Sequence, residues 1–160
     1  SCAPNPPVGC IVARHGTVIG RGFHQHAGHA HAEVNALADA GGDVAGATVY
    51  VTLEPCAFVG RTPACAQTLI DAKVGRVVVA TQDPHPQVAG KGCQMLRDAG
   101  IDVVEFDLPE AQQMIAGFVS RITRQRPRVV LKSASSLDGA VALASGARSS
   151  AGMQLALIHI

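Results

Sequence analysis

The run Arg76-Val77-Val78-Val79-Ala80-Thr81 is almost wholly apolar, and a strand of that composition has no face to offer to water. It reads as a central strand covered on both sides, the usual condition of a parallel sheet whose crossovers lay helices over it. The flanking sequence supplies those crossovers. Ala32, Ala36, Leu37 and Ala40 fall at helical spacing behind His31, and Gly41-Gly42 ends the run. Residues 48–53 form a β-branched strand, 63–72 a helix with Ala66, Leu69 and Ile70 on one face, 90–99 a helix and 102–106 a strand. Upstream, residues 8–13 and 17–23 are apolar runs parted by His15-Gly16, the signature of a hairpin. The expected class is α/β, with a mixed sheet between helices, antiparallel at its start and parallel afterwards.

A chain of 160 residues with 48% hydrophobic content supports one substantial core. The first 124 residues are expected to form the main domain. A helix over 111–123 ends among Arg121, Arg124, Arg126 and Arg128, read as cations at a helix C-terminus. Residues 125–160 then read as a linker and the opening of a further unit, because the strand Val129-Val130-Leu131 has no evident partner downstream. The Ser1-Cys2-Ala3 start reads as trimmed. A formal charge of +1 and 3% aromatic residues disfavour a nucleic-acid groove and point to a small-molecule partner. No apolar stretch approaches the roughly 18 residues that cross a bilayer, so no membrane role and a cytoplasmic setting are expected. A homo-oligomer is compatible with this composition. Five cysteines without an export signal suggest metal ligands or buried thiols.

Positions decide among these thiols. His31 opens one helix, and Cys56 and Cys65 bracket the start of another, where unpaired amides favour thiolate over thiol. One imidazole and two thiolates are the three ligands of a catalytic Zn²⁺ site that leaves a fourth position to water. Glu33, two residues beyond the histidine, can take a proton from that water and return it to the substrate and the departing amine. The His-x-Glu pattern with a later Pro-Cys belongs to zinc deaminases. Here eight residues separate the two cysteines, where the common spacing is two. A structural site completed by Cys10 is the alternative.

The insert Cys56-Ala57-Phe58-Val59-Gly60-Arg61-Thr62-Pro63-Ala64-Cys65 resembles the expanded cysteine loop of the RibD family of riboflavin-biosynthesis deaminases. Pro4-Asn5-Pro6, Val8-Gly9-Cys10, Gly22, His24, His31-Ala32-Glu33-Val34, Thr52-Leu53-Glu54-Pro55-Cys56, Gln82-Asp83-Pro84 and Val88-Ala89-Gly90-Lys91-Gly92 follow the family in order and spacing. The resemblance implies a three-layer α/β/α cytidine deaminase-like sandwich. It also implies deamination of 2,5-diamino-6-ribosylamino-4(3H)-pyrimidinone 5′-phosphate to the corresponding aminouracil phosphate. Residues 131–139 resemble the opening of the reductase domain of bifunctional members, which is expected to be incomplete here. NADPH would be needed only with an intact reductase.

Ala57-Phe58 replaces the family's Ser-His, and the sequence leaves the family pattern after Ser145-Gly146. Asn5 and His24 are candidate pocket residues, Asn5 because an amide reads donors and acceptors alike. Arg61 and Lys91 are candidates for the substrate phosphate. His26 and His29 read as exposed loop residues, Cys2 and Cys93 as ordinary thiols, and Asp83-Pro84 as a turn. Deamination of another base or nucleoside, or a zinc-stabilised remnant without activity, are the competing readings.

Overall fold

The computed structural model describes residues 2–58, 63–86 and 88–131, together with the backbone of 157–159. The elements in chain order are β1 (Gly9–Arg14), β2 (Thr17–Phe23), α1 (Ala32–Ala40), β3 (Thr48–Val51), α2 (Cys65–Asp71), β4 (Arg76–Val79), α3 (Lys91–Asp98), β5 (Asp102–Glu105), α4 (Pro109–Met114), α5 (Ala116–Arg124), β6 (Val129–Leu131) and β7 (Leu157–His159). The main sheet runs β2-β1-β3-β4-β5. β1 is antiparallel to both β2 and β3, whereas β3-β4 and β4-β5 are parallel. The mixed sheet with its opening hairpin is thus as expected.

Strand alternation decides what faces the core. Val12, Val49, Val51, Val77 and Val79 are buried with Ala36 of α1, Leu69 of α2 and Leu96 of α3 in one cluster. Helices α1, α2 and α3 form a layer over this face of the sheet. The other sheet face carries Ile11, Tyr50 and Val104 at 38%, 47% and 37% exposure. Val78 is accordingly half-buried, not covered on both sides.

The pairing of α1 with β2 governs the site that follows. A Cβ on Gly22 would lie 2.2 Å from the Ala32 carbonyl oxygen, and one on Gly20 would lie 2.3 Å from that of Ala36. Two glycines therefore let helix and strand meet backbone to backbone. Gly41, at φ 64°, ends α1 with the left-handed turn that glycine adopts without penalty.

Two expectations need correction. The helix expected over 111–123 is two helices, because Ile115 leaves helical geometry (φ −96°, ψ 8°) as its side chain turns inward to 2% exposure. The strand at 129–131 does have a downstream partner: β6 pairs antiparallel with β7, Val130 opposite Ile158. Hydrophobic pattern alone did not reveal a three-residue strand nearly thirty positions away.

Candidate active site

The parallel strands β3 and β4 end at the same edge of the sheet, where loops after strand C-termini make a crevice. The segments 52–58 and 80–86 follow those two ends. The N-terminal segment 4–8 arrives beside them because β1 runs antiparallel to β3, with Cys10 opposite Val51. The start of α1 closes the fourth side. His31 is the residue before α1, in extended geometry (φ −74°, ψ 167°), and its side chain makes no capping bond.

The imidazole is turned to the thiols. His31 Nδ1 lies 3.0 Å from Cys65 Sγ and 3.7 Å from Cys56 Sγ. Cys65 is the first residue of α2, and its amide donates to Cys56 Sγ at 3.3 Å, while the Ala66 amide donates to the Cys56 carbonyl at 3.1 Å. Cys56 thereby satisfies two amides at the start of a helix that has no side-chain cap. The hydrogen bond from Cys65, with help from His31, pulls the Cys56 thiol down to about 4 against the opposing effect of burial. The same pairing, with burial, pushes Cys65 up. Contact with the Cys56 thiolate raises His31, with burial working against it.

These three donors lie within 4.8 Å of one another and could hold a metal ion. Tetrahedral zinc with bonds of 2.0–2.3 Å would set sulfur–sulfur and nitrogen–sulfur separations of about 3.8 and 3.5 Å, so the donor set fits zinc after small adjustments. Cys10 lies outside this group; it is buried in β1, and burial drives its thiol upward.

Glu33, in the first turn of α1, is 3% exposed. Burial, reinforced by the Cys56 charge and opposed by a backbone hydrogen bond and by His31, pushes its carboxyl up to about 7. A buried carboxyl beside a metal-ligand cluster is placed to accept and donate a proton.

His31, Glu33 and Cys56 line a cavity of about 460 Å³, shared with Asn5, His24 and Asp83, while Cys65 is buried behind it. His24 Nδ1 lies 3.2 Å from the Ala30 carbonyl and so carries the proton; Nε2 then accepts from Asn5 Nδ2 at 3.0 Å. The His24 ring stands edge-on to His31, centroids 5.4 Å apart. His26 and His29 are exposed and meet edge-on, though His29 also reaches the cavity rim. Arg61 lies outside the described residues. Lys91 is exposed and borders a second, shallower cleft with His85.

Of four further residues of this region, the sequence reads Asp83 as a turn and Arg121 as a cation at a helix end, places Glu54 in a motif without a role, and gives Phe118 no reading. Asp83 does form the expected turn, its Oδ1 accepting the His85 amide at 2.8 Å, and its half-buried carboxyl, raised by burial, also lines the cavity. Its place just after a central parallel strand was the available signal. Phe118 of α5 lines both cavity and cleft, with the Arg121 guanidinium 5.5 Å from its ring and Arg121 Nη2 donating to the Pro4 carbonyl at 2.8 Å. Glu54 is 5% exposed and accepts four backbone amides. Phe118, Arg121 and Glu54 act through contacts that sequence spacing does not encode.

The profile of the cytidine and deoxycytidylate deaminase zinc-binding region matches residues 1–81. The riboflavin biosynthesis protein RibD of Haemophilus influenzae is 54% identical over 89% of this chain and 39% of its own length. A RibD structure from Acinetobacter baumannii superposes at TM-score 0.82 with 52% identity, covering 91% of this chain and 41% of that one. The diaminohydroxyphosphoribosylaminopyrimidine deaminase/5-amino-6-(5-phosphoribosylamino)uracil reductase of Thermotoga maritima superposes at 0.84 with 42% identity, covering 91% and 42%. The chain spans about two-fifths of the length of the curated relatives it matches.

Proposed function

The chain belongs to the cytidine and deoxycytidylate deaminase zinc-binding family, and from that footing we propose that it is a zinc hydrolase removing the amino group of the diaminopyrimidine ribosyl phosphate of riboflavin synthesis. The carrying observation is geometric: Glu33 is buried beside the His31, Cys56 and Cys65 donors, with Glu33, His31 and Cys56 opening on one cavity. The RibD relatives supply the substrate class.

His31, Cys56 and Cys65 would hold zinc, which supplies the Lewis acidity that makes water nucleophilic near neutral pH. Glu33 takes the proton from the attacking water and passes it to the ring nitrogen next to the reacting carbon. A carbon–oxygen bond forms; Glu33 then takes the remaining hydroxyl proton as the carbonyl forms and hands it to the exocyclic nitrogen, the carbon–nitrogen bond breaks and ammonia leaves. His24 holds Asn5 by its amide nitrogen, which leaves the Asn5 oxygen and one N–H to read the edge of the pyrimidine. Arg61 and Lys91 are the proposed phosphate contacts. Residues 1–124 would form the deaminase unit and 125–160 the linker and start of a reductase domain, the one part to which NADPH would belong. No helix among the described residues is long and apolar enough to cross a membrane; a cytoplasmic setting fits the same reading.

Purified protein should carry about one zinc per chain and release ammonia from the diaminopyrimidine ribosyl phosphate. Glu33→Gln should keep the zinc and lose turnover; loss of both together would remove Glu33 from the role of proton carrier. One observation favours a second substrate: Phe58, 57% exposed, sets an apolar ring at the cavity rim. Cytidine, guanine and adenosine tested beside the phosphorylated substrate decide between them. A protein that binds zinc, melts on chelation and releases ammonia from none of the four would be the non-catalytic remnant.

A further inference from the structure

Among the described residues, the side chain that gathers most hydrogen bonds takes no part in the chemistry above. Glu54 Oε2 accepts the amides of Asp83 at 3.1 Å and Gly90 at 2.9 Å, and Oε1 those of Gly92 at 2.8 Å and Cys93 at 3.3 Å. Its own amide donates to the Thr81 carbonyl at 2.9 Å. One buried carboxylate thus binds both ends of the β4–α3 connection to the segment that leaves β3. Three of these amides, of Gly90, Gly92 and Cys93, belong to the start of α3, as a helix cap would take; the fourth, of Asp83, reaches the wall of the cavity.

The contact continues toward the cluster. A Cβ on Gly92 would lie 1.8 Å from the Pro55 carbonyl oxygen, so the first turn of α3 rests directly on the main chain between Glu54 and Cys56. Cys56 in turn receives the Cys65 and Ala66 amides of α2. The first turn of α3, Glu54-Pro55, Cys56 and the first turn of α2 therefore form one unbroken series of backbone contacts. Asp83, which lines the cavity, hangs from the same carboxylate by its amide.

We infer that Glu54 is a positioning residue that, by collecting the four amides, sets Cys56 for the metal and holds the Asp83 wall of the cavity in register. The inference rests on the reading of Cys56 as a zinc ligand. The competing account is that Glu54 caps α3 and affects stability alone.

Glu54→Gln separates the two. An amide turned either way brings its NH₂ against two backbone donors, so half of the clamp is lost with little change in volume. Zinc affinity would be measured near neutral pH by competition with a chromophoric chelator, and the cobalt-substituted protein would report ligand geometry through its sulfur-to-metal charge-transfer band. Positioning predicts at least a tenfold loss of zinc affinity, in the range found when groups behind metal ligands are removed. It also predicts a displaced cobalt band and a KM that rises more than kcat falls. Glu54→Asp, which keeps the carboxylate, should fall between the two. Unchanged affinity and an unchanged band with only a lowered Tm would leave Glu54 as a helix cap and overturn the inference. Should Glu54→Gln fail to fold, Glu54→Asp, whose shorter side chain cannot reach all four amides, must then weaken zinc binding, and parental affinity there would overturn the inference. Parent protein that holds zinc but releases no ammonia would count against the substrate reading alone, because affinity and spectrum need no turnover.

Discussion

The floor and the mouth of the cavity are built on different principles. At the floor, His31, Glu33, Cys56 and Cys65 sit at or beside helix starts, and backbone contacts fix them. α1 lies on Gly20 and Gly22 of β2, and α2 on the Cys56 carbonyl and sulfur. At the mouth, Asn5, Phe58, Asp83 and Phe118 come from four segments far apart in the chain and are half-buried or exposed. A floor with one geometry can serve one chemistry, whereas a mouth assembled from loops can change its substrate without disturbing it. Floor substitutions should therefore act on kcat and metal, and mouth substitutions on KM.

The largest test of that division is Glu33→Gln. Removing a positioned proton carrier costs about 10²–10⁴ in rate, and kcat should fall by that amount with zinc content and KM nearly unchanged. A KM effect equal to the kcat effect would place Glu33 in binding and dissolve the distinction. The same substitution has a second consequence in the zinc-stripped protein. The Glu33 carboxyl rises from 4.5 to about 7 on folding, so the folded state holds a proton that the unfolded state has released. Its contribution is most favourable below 4.5 and declines as pH climbs to about 7. Cys56, lowered from 9.0 to about 4, has the opposite slope over that window, so the wild-type profile mixes the two. The difference between Glu33→Gln and wild type reports Glu33 together with its coupling to His31, Cys56 and Cys65. The variant should gain relative stability between pH 4.5 and 7, on the order of 3 kcal/mol at about 1.4 kcal/mol per unit. A constant difference across that range, measured by urea unfolding, would mean that Glu33 is not held against its charge.

The two regions also differ in how readily sequence disclosed them. His31 and Glu33 lie two residues apart on one helix start, and Pro55-Cys56 marks the end of a strand, so chemistry and spacing coincide there. Asn5 and His24 were reached through resemblance to a family, and the 3.0 Å contact between them is a product of the β1–β2 hairpin. Phe118 and Arg121 were invisible in that sense. Arg121 read as a cation at a helix end, yet it spans 117 positions to the Pro4 carbonyl. Glu54 was quoted as part of a motif without a role, because its four partners are backbone amides that leave no mark on residue identity. The opening hairpin, the parallel half of the sheet and the positions of its strands and helices were legible from period and punctuation, but the strand order was not. The break at Ile115 and the β6–β7 pair were not, since both depend on where the folded chain has room.

A third test addresses why the floor is rigid. Gly22→Ala would drive a methyl to within 2.2 Å of the Ala32 carbonyl and 2.3 Å of the Ala36 amide, both main-chain atoms that cannot swing aside. Overpacking of this kind costs about 1–3 kcal/mol. Because α1 must move off β2 to relieve it, His31 and Glu33 move with it, and kcat should fall together with Tm. A variant with lowered Tm and parental kcat would show that the floor tolerates displacement of α1.

The smallest expected effect belongs to the mouth. Arg121→Ala removes the bond to the Pro4 carbonyl and the cation above Phe118, freeing α5 from the segment that carries Asn5. An exposed contact of this type is worth under about 1 kcal/mol, so KM should rise two- to fivefold while kcat and zinc affinity stay at parental values. Arg121→Met, which keeps an apolar stem over the Phe118 ring, should recover part of the KM change and none of the Pro4 contact. A tenfold fall in kcat from Arg121→Ala would mean that α5 reaches the floor through Phe118, and the separation of floor from mouth would fail at the helix that most visibly bridges them.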